Sequence, residues 1–244
     1  MPRFYCPSPL PLRGTFELPD SAAHHAVRVL RLREGDRVEL FDGEGQACSA
    51  VIAAASGKHV TVGQIVALEK NCESPLCSIL AQALCSSEKM DWIVQKATEL
   101  GVTEIQPLDT ERSVARLTAE RAAKRLEHWQ QVIISACEQC GRNRFPRIHP
   151  PIDLMIWLRQ MQSAPETRVA LLPQADATLD RLPAPAAGVA LLVGPEGGFS
   201  AAEGDTIVQS GFIPVRLGSR ILRTETAAIA GLTALQIHWG DFNS

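Results

Sequence analysis

The chain has 244 residues, 45% of them hydrophobic and 21% charged, with a formal net charge of −3 at pH 7. That length holds one large domain or two modest ones, and the balance is that of a globular protein. The weak negative charge excludes a uniformly basic nucleic-acid binder and leaves room only for a local basic surface. No window of about 18 unbroken apolar residues occurs, so no membrane span is expected. Prolines in the opening MPRFYCPSPLPLRG interrupt the apolar run that a secretory signal needs. Seven scattered cysteines suit a reducing cytoplasm better than a disulfide framework.

Residues 1–70 read mostly as β. The runs TFEL, DRVELFDG, QACSAVIAAA and HVTVGQIVAL are short and β-rich, and FDGEGQ (41–46) is a hairpin-type turn between two of them. One helix interrupts, over about 21–32, with Ala22, Ala26, Val29 and Leu30 on an apolar face. A small barrel with one helix is the simplest reading. The polar EKNCESPLC (69–77) reads as a linker.

Beyond it strands and helices alternate. SILAQAL is a buried strand. SSEKMDWIVQKATELG is a helix with a Ser cap, an acid in its first turn and Gly101 as its stop. VTEIQPL is a second strand. A longer helix runs over 118–139, with Ala122, Leu126, Trp129, Ile133 and Ala136 on one face. RVALLPQ and VALLVGP are further buried strands, SAAE (200–203) is a capping box, PVRLG is the last strand and 224–239 the last helix. This alternation predicts a mostly parallel sheet covered by helices.

Two strand–glycine–helix junctions stand out. LLVGPEGGFS runs from a strand through Gly194, Pro195, Glu196, Gly197 and Gly198 into the capping box. Such turns at the carboxyl ends of parallel strands are the usual ligand position in open α/β sheets. The P-loop and dinucleotide fingerprints both fail on spacing. An acid at Glu196 repels phosphate, so a ligand with amine, hydroxyl or sulfonium groups suits the turn better. The second junction, LGSRILRTETAAIAG (217–231), carries Arg220, Arg223, Thr224, Glu225 and Thr226 between two apolar segments. Capping by Thr224 or Thr226 and a favourable dipole contact by Glu225 explain part of this, but two arginines at a helix N-terminus oppose the dipole.

GPEGGFS with Glu203, together with LGSRILRTETA, resembles the signature of the RsmE family, ribosomal RNA methyltransferases of the SPOUT superfamily that methylate N3 of a uridine in 16S rRNA. KMDWIVQKATELGV, EQCGRNRFP, PRFY and HHAVRVLRLREGD are similar to other segments of that family, so the resemblance spans nearly the whole chain. It implies a PUA-like β-barrel RNA-binding domain over 1–70 and a SPOUT methyltransferase domain over 75–244, α/β with a deep trefoil knot. It also implies S-adenosylmethionine as cofactor, a homodimer, and the small ribosomal subunit as partner. The cofactor is then expected against three loops. The first is Leu171, Leu172 and Pro173. The second is Gly194 to Gly198. The third contributes Leu217, Gly218, Ile221, Leu222, Arg223, Thr224, Thr226 and Ala227.

Methyl transfer to uridine N3 requires loss of the N3 proton, and a general base contributes roughly 10²–10⁴-fold. Arg223 and Glu225 are the catalytic candidates, with capping or cofactor contact as the alternatives for Glu225. RNA contact needs local positive charge. Arg142, Arg144 and Arg147 supply it after the long helix. Arg28 and Arg31, three apart on one helix face, form a second group, and Arg3 stands near the barrel start. Arg33 reads as a solvated side chain. Phe145 either stacks a base or packs in the core. Cys137 and Cys140 have metal spacing but read as helix residues, because the similarly spaced pair, Cys72 and Cys77, lies in the linker. His24 and His25 read as helix surface or RNA contact. The apolar last helix serves an interface or the core. A non-catalytic RNA-binding or assembly protein, and a small-molecule nucleotide enzyme, are the alternatives to an RNA methyltransferase.

Overall fold

Short apolar stretches with alternating burial build the N-terminal sheet. The computed structural model describes residues 1–244 except 8, 11–12, 57–58, 114–116, 162–165 and 244. The chain divides into two compact units, Met1–Glu73 with Ile134–Phe145, and Ser74–Ile133 with Pro146–Ser244.

In the first unit, β1 (Arg3–Tyr5), β2 (Phe16–Glu17), β3 (Arg37–Phe41), β4 (Ala47–Ser56) and β5 (His59–Ala67) form one sheet in the order β1-β3-β4-β5-β2. The β1–β3 pair is parallel and the others antiparallel. Among the described residues the five strands form one continuous ladder, with β1 and β2 at its two edges. Its core joins Phe4, Val38, Leu40, Ile52, Val60 and Val62 to Ala22 and Ala26. The β3–β4 turn is held by Asp42, whose Oδ1 accepts from the N–H groups of Glu44, Gly45 and Gln46 at 2.8, 3.0 and 3.0 Å.

The single helix is shorter than expected. It begins as α1 (Asp20–His24) and continues in π geometry over His25–Val29. Arg31 then takes φ 56°, which ends it. Ala22 and Ala26 face the core, whereas Val29 and Leu30 are exposed.

The second unit holds β6 (Ser78–Ala83), α2 (Ser87–Glu99), β7 (Glu104–Asp109), most of α3 (Ala119–Cys140), β8 (Arg147–Ile148), β9 (Ile152–Asp153) and α4 (Leu154–Met161). It continues with β10 (Thr167–Leu171), a 3₁₀ turn (Leu179–Arg181), β11 (Val189–Val193), α5 (Ala201–Gln209), β12 (Ile213–Val215) and α6 (Thr224–Trp239). The sheet order is β12-β10-β11-β6-β7-β8, with β9 also on β7, and every pairing is parallel. β11 is buried along its whole length, the uniform apolar run that a strand covered on both faces requires. On α3, Trp129, Ile133 and Ala136 are buried, while Ala122 and Leu126 are only half-buried. Ser86 stands at the N-cap of α2 but makes no side-chain cap bond there. Gly101 closes that helix in the left-handed region at φ 79°. No helix among the described residues is long and apolar enough to cross a membrane.

Candidate active site

The C-terminal ends of β10, β11 and β12 lie side by side, because β10 is paired on one edge with β11 and on the other with β12. The segments that leave these ends wall a cleft of about 910 Å³. Clefts of roughly 300–1,000 Å³ are the usual size for small ligands. Residues 171–176, 193–201 and the segment after β12 line it. Of the residues expected against a cofactor, all stand on its wall except Arg223 and Thr226. Arg223 instead takes the N-cap position of α6 with no side-chain cap bond, and Thr226 is exposed in the first turn.

Local chemistry fixes the glycine turn. Gly198 N–H donates to Pro195 O at 2.9 Å, and Gly198 sits at φ 67°, a conformation that favours glycine. At Gly194 an added Cβ would meet the Phe199 ring at 3.1 Å. The capping box then forms as expected: Ser200 Oγ accepts from Glu203 N–H, and Glu203 Oε2 accepts from Ser200 N–H at 2.8 Å. Glu203 Oε1 also accepts from Glu111 N–H at 2.8 Å, which anchors the segment after β7. From that segment Arg112 reaches the cleft, its Nη1 donating to Gly197 O at 3.1 Å and Phe199 O at 3.4 Å.

Thr224 is not the cap expected of it. It is the first residue of α6, buried, and its hydroxyl donates to Gly194 O at 2.6 Å while accepting from Gln82 Nε2 at 2.9 Å. Glu225 is half-buried, and one of its oxygens lies 3.5 Å from Lys89 Nζ. The same ammonium donates to Glu196 Oε1 at 3.1 Å. Lys89 thus bridges the glycine turn and the start of α6. The bond to Glu196 outweighs desolvation and raises the Lys89 pKa. Burial pushes the Glu196 carboxyl up, but backbone N–H donors and Lys89 reverse this and hold it below its usual range. Beside them, burial and the charge of Glu196 push the Cys85 thiol up to about 12.

Of the arginines expected on an RNA surface, two are not on the surface. Arg3 is buried, bonded to Glu39, to Arg142 O at 3.0 Å and to Asn143 Oδ1 at 2.9 Å, and its guanidinium lies 4.8 Å from the Phe41 ring. Arg142 is buried and donates to Glu73 Oε2 at 2.8 Å. Both charges are consumed inside the protein. Arg28, Arg31, Arg144 and Arg147 are exposed, but Arg31 lies beyond the helix and shares no helix face with Arg28. Phe145 packs edge-on against Tyr5 and Phe41 at 4.9 and 5.9 Å, so the ring is a packing element. His25 stacks edge-on against Phe4 at 5.7 Å, and His24 is exposed. Cys137 and Cys140 lie in α3, and no group of three or more metal-ligating side chains occurs among the described residues.

Lys89 and Arg112 escaped sequence reasoning. Each is a solitary cation in an ordinary helix or turn context, and its partners lie 85 or more positions away. The acidic partners Glu196 and Glu225, both already singled out, were the available signal for Lys89.

Comparison with known proteins matches residues 72–236 to an RNA methyltransferase domain and residues 18–65 to an RNA methyltransferase PUA domain. A ribosomal RNA small subunit methyltransferase E from Buchnera aphidicola subsp. Schizaphis graminum is 38% identical over 100% of this chain and 98% of its own length. Its namesake from Bacillus subtilis is 32% identical over 91% of this chain and 89% of its own. The crystal structure of a ribosomal RNA small subunit methyltransferase E from Neisseria gonorrhoeae bound to S-adenosyl methionine superposes with a TM-score of 0.92 at 40% identity, covering 99% of both chains. A Legionella pneumophila methyltransferase with bound cofactor superposes with a TM-score of 0.91 at 40% identity, covering 98% of both chains.

Proposed function

This chain belongs to the RNA methyltransferase family of the ribosomal RNA small subunit methyltransferase E proteins, and on that premise we propose that it transfers a methyl group from S-adenosylmethionine to N3 of a uridine in 16S rRNA. The observation that carries this reading is the cleft at the ends of β10, β11 and β12, walled by the three loops that the resemblance assigns to the cofactor.

The residues present fit such a ligand. The glycine turn lets backbone approach the ligand closely, Leu171, Leu172, Ile221 and Leu222 offer apolar surface, and Glu196 and Asp205 place negative charge on the wall, suited to an ammonium or sulfonium. S-adenosylmethionine, when bound, supplies the electrophilic methyl carbon. The protein supplies orientation, and a place for the N3 proton. Glu225 is the proposed acceptor of that proton. Arg223, exposed at the start of α6, is the proposed cation for charge developing on the uracil oxygens. Lys89 ties Glu225, at the start of α6, to Glu196 on the cleft wall.

The finer reading follows the resemblance. Residues 1–70 are the PUA-like RNA-binding domain and 75–244 the SPOUT domain, whose cleft loops form a trefoil knot. Arg28, Arg31, Arg144 and Arg147 contact RNA phosphates. The protein acts as a homodimer in the cytoplasm. The large apolar side chains of Trp92 and Ile237 exposed on α2 and α6 support the first, and the free cysteines the second.

The test is incubation of small ribosomal subunits from cells lacking this protein with the purified chain and methyl-labelled S-adenosylmethionine, followed by digestion of the RNA to nucleosides. Label in 3-methyluridine is the expected result. Label in another nucleoside overturns the N3 assignment, and no label on subunits or naked RNA overturns the enzymatic reading.

A further inference from the structure

Gln82 is fully buried near the end of β6, in a strand otherwise made of small and apolar residues. An amide in such a place is destabilising unless its polar atoms are bonded. Its register partner on β11 is Val193, the residue immediately before Gly194. Gln82 Nε2 donates to Ala83 O at 2.9 Å and to Thr224 Oγ1 at 2.9 Å, and Thr224 Oγ1 donates to Gly194 O at 2.6 Å.

The direction of this relay is fixed by chemistry. An amide nitrogen only donates and a backbone carbonyl only accepts, so the Thr224 hydroxyl must take a proton from the first and give its own to the second. Gln82 Oε1 has no hydrogen-bond partner, so the amide is held by its donor end alone. The relay joins the end of β6, the first peptide of the glycine turn and the first residue of α6. Pro195 follows Gly194 and brings no N–H of its own to the turn.

We propose that Gln82 is a positioning residue for the cofactor cleft, acting through the Thr224 hydroxyl to fix the Gly194 carbonyl and with it the turn 194–198. The proposal rests on the reading of that cleft as the S-adenosylmethionine site. It assigns Thr224 a role in which the hydroxyl, rather than the helix-start position, is what counts. Removing the hydroxyl takes a donor from the half-buried Gly194 carbonyl and an acceptor from a buried amide N–H at the same time.

The experiment is calorimetric titration of S-adenosylhomocysteine into the wild type, Thr224→Ser, Thr224→Val, Gln82→Met and the Thr224→Val/Gln82→Met double variant, with the unfolding midpoint of each recorded without ligand. Loss of an acceptor or donor in a buried relay is expected to weaken binding by about tenfold or more in Thr224→Val. Thr224→Ser, which keeps the hydroxyl, stays within about threefold of the wild type, a rescue that a role in packing alone does not give. The double variant binds about as weakly as Thr224→Val alone, because one relay is broken once. Binding by Thr224→Val equal to the wild type, Thr224→Ser as weak as Thr224→Val, or multiplied losses in the double variant would each overturn the proposal. If Thr224→Val does not fold, Gln82→Met decides: weakened binding with a near-native unfolding midpoint supports the relay, and native affinity sinks it. If the wild type itself takes up no S-adenosylhomocysteine, the cofactor reading falls first and the proposal with it.

Discussion

Glu203 sets the position of the segment that brings Arg112 to the cleft, and its removal is the perturbation whose cost follows most directly from the structure. The side chain is buried, and its two oxygens accept from two backbone N–H groups: Ser200 at 2.8 Å and Glu111 at 2.8 Å. In Glu203→Ala both acceptors vanish. Ser200 is buried, so its N–H is left without a partner, which costs about 1–3 kcal/mol. Glu111 is exposed, so its N–H exchanges the carboxylate for water, at a net loss of about 0.5–1.5 kcal/mol. The sum is about 1.5–4.5 kcal/mol, a large share of the ~5–15 kcal/mol that holds a typical domain folded. In a chain of this size each kcal/mol lowers the midpoint by about 2–4 °C, so a fall of about 3–18 °C is expected by scanning calorimetry. Glu203→Gln keeps one acceptor oxygen, and a smaller fall is expected. A midpoint within about 1 °C of the wild type in Glu203→Ala, or a larger fall in Glu203→Gln than in Glu203→Ala, refutes this reasoning.

Three further outcomes are expected. Gly43 sits at φ 76° with the Phe145 ring 2.3 Å from where a Cβ would stand, so Gly43→Ala combines backbone strain with a clash and lowers stability in urea unfolding by about 2–4 kcal/mol. Burial pushes the Cys6 and Cys85 thiols up to about 12, so iodoacetamide at pH 8 labels the exposed Cys72 and Cys77 while mass spectrometry of the native protein finds Cys6 and Cys85 unmodified. Despite the upward push of burial, the Glu196 carboxyl titrates below its unfolded value, so its contribution is present above the ordinary glutamate range and lost as the pH falls through the lower folded value. Glu196→Gln is therefore expected to flatten part of the acid limb of stability against pH; an unchanged limb counts against the Lys89–Glu196 pair.

The strands and helices with a clean period were legible, and so were the loops that wall the cleft. The uniform apolar run at 189–193 specifies a strand covered on both faces, and Gly-Pro-x-Gly-Gly followed by a capping box specifies where such a strand turns into a helix. The two-residue strands β8 and β9 carry no period to detect. Arg3 and Arg142 read as surface cations because residue type is all that a sequence offers. Their burial depends on Glu39 and Glu73, partners thirty-six and sixty-nine residues away in the chain. Gln82 and Thr224 are 142 positions apart, and nothing local distinguishes a hydroxyl that joins two segments from one that caps a helix.

Residues 134–145 belong to the first compact unit although residues 74–133 of the second precede them in the chain. That order has a consequence in time. On a translating ribosome the five strands of the first unit have all emerged well before Glu138, Asn143 and Phe145, which supply the acceptor for Tyr5 N–H, a partner for Arg3 and the ring against Gly43. The N-terminal sheet is therefore synthesised incomplete. It waits for the end of α3 with a buried-to-be guanidinium still in water, so the first unit is completed only after residues 74–133 of the second have been made.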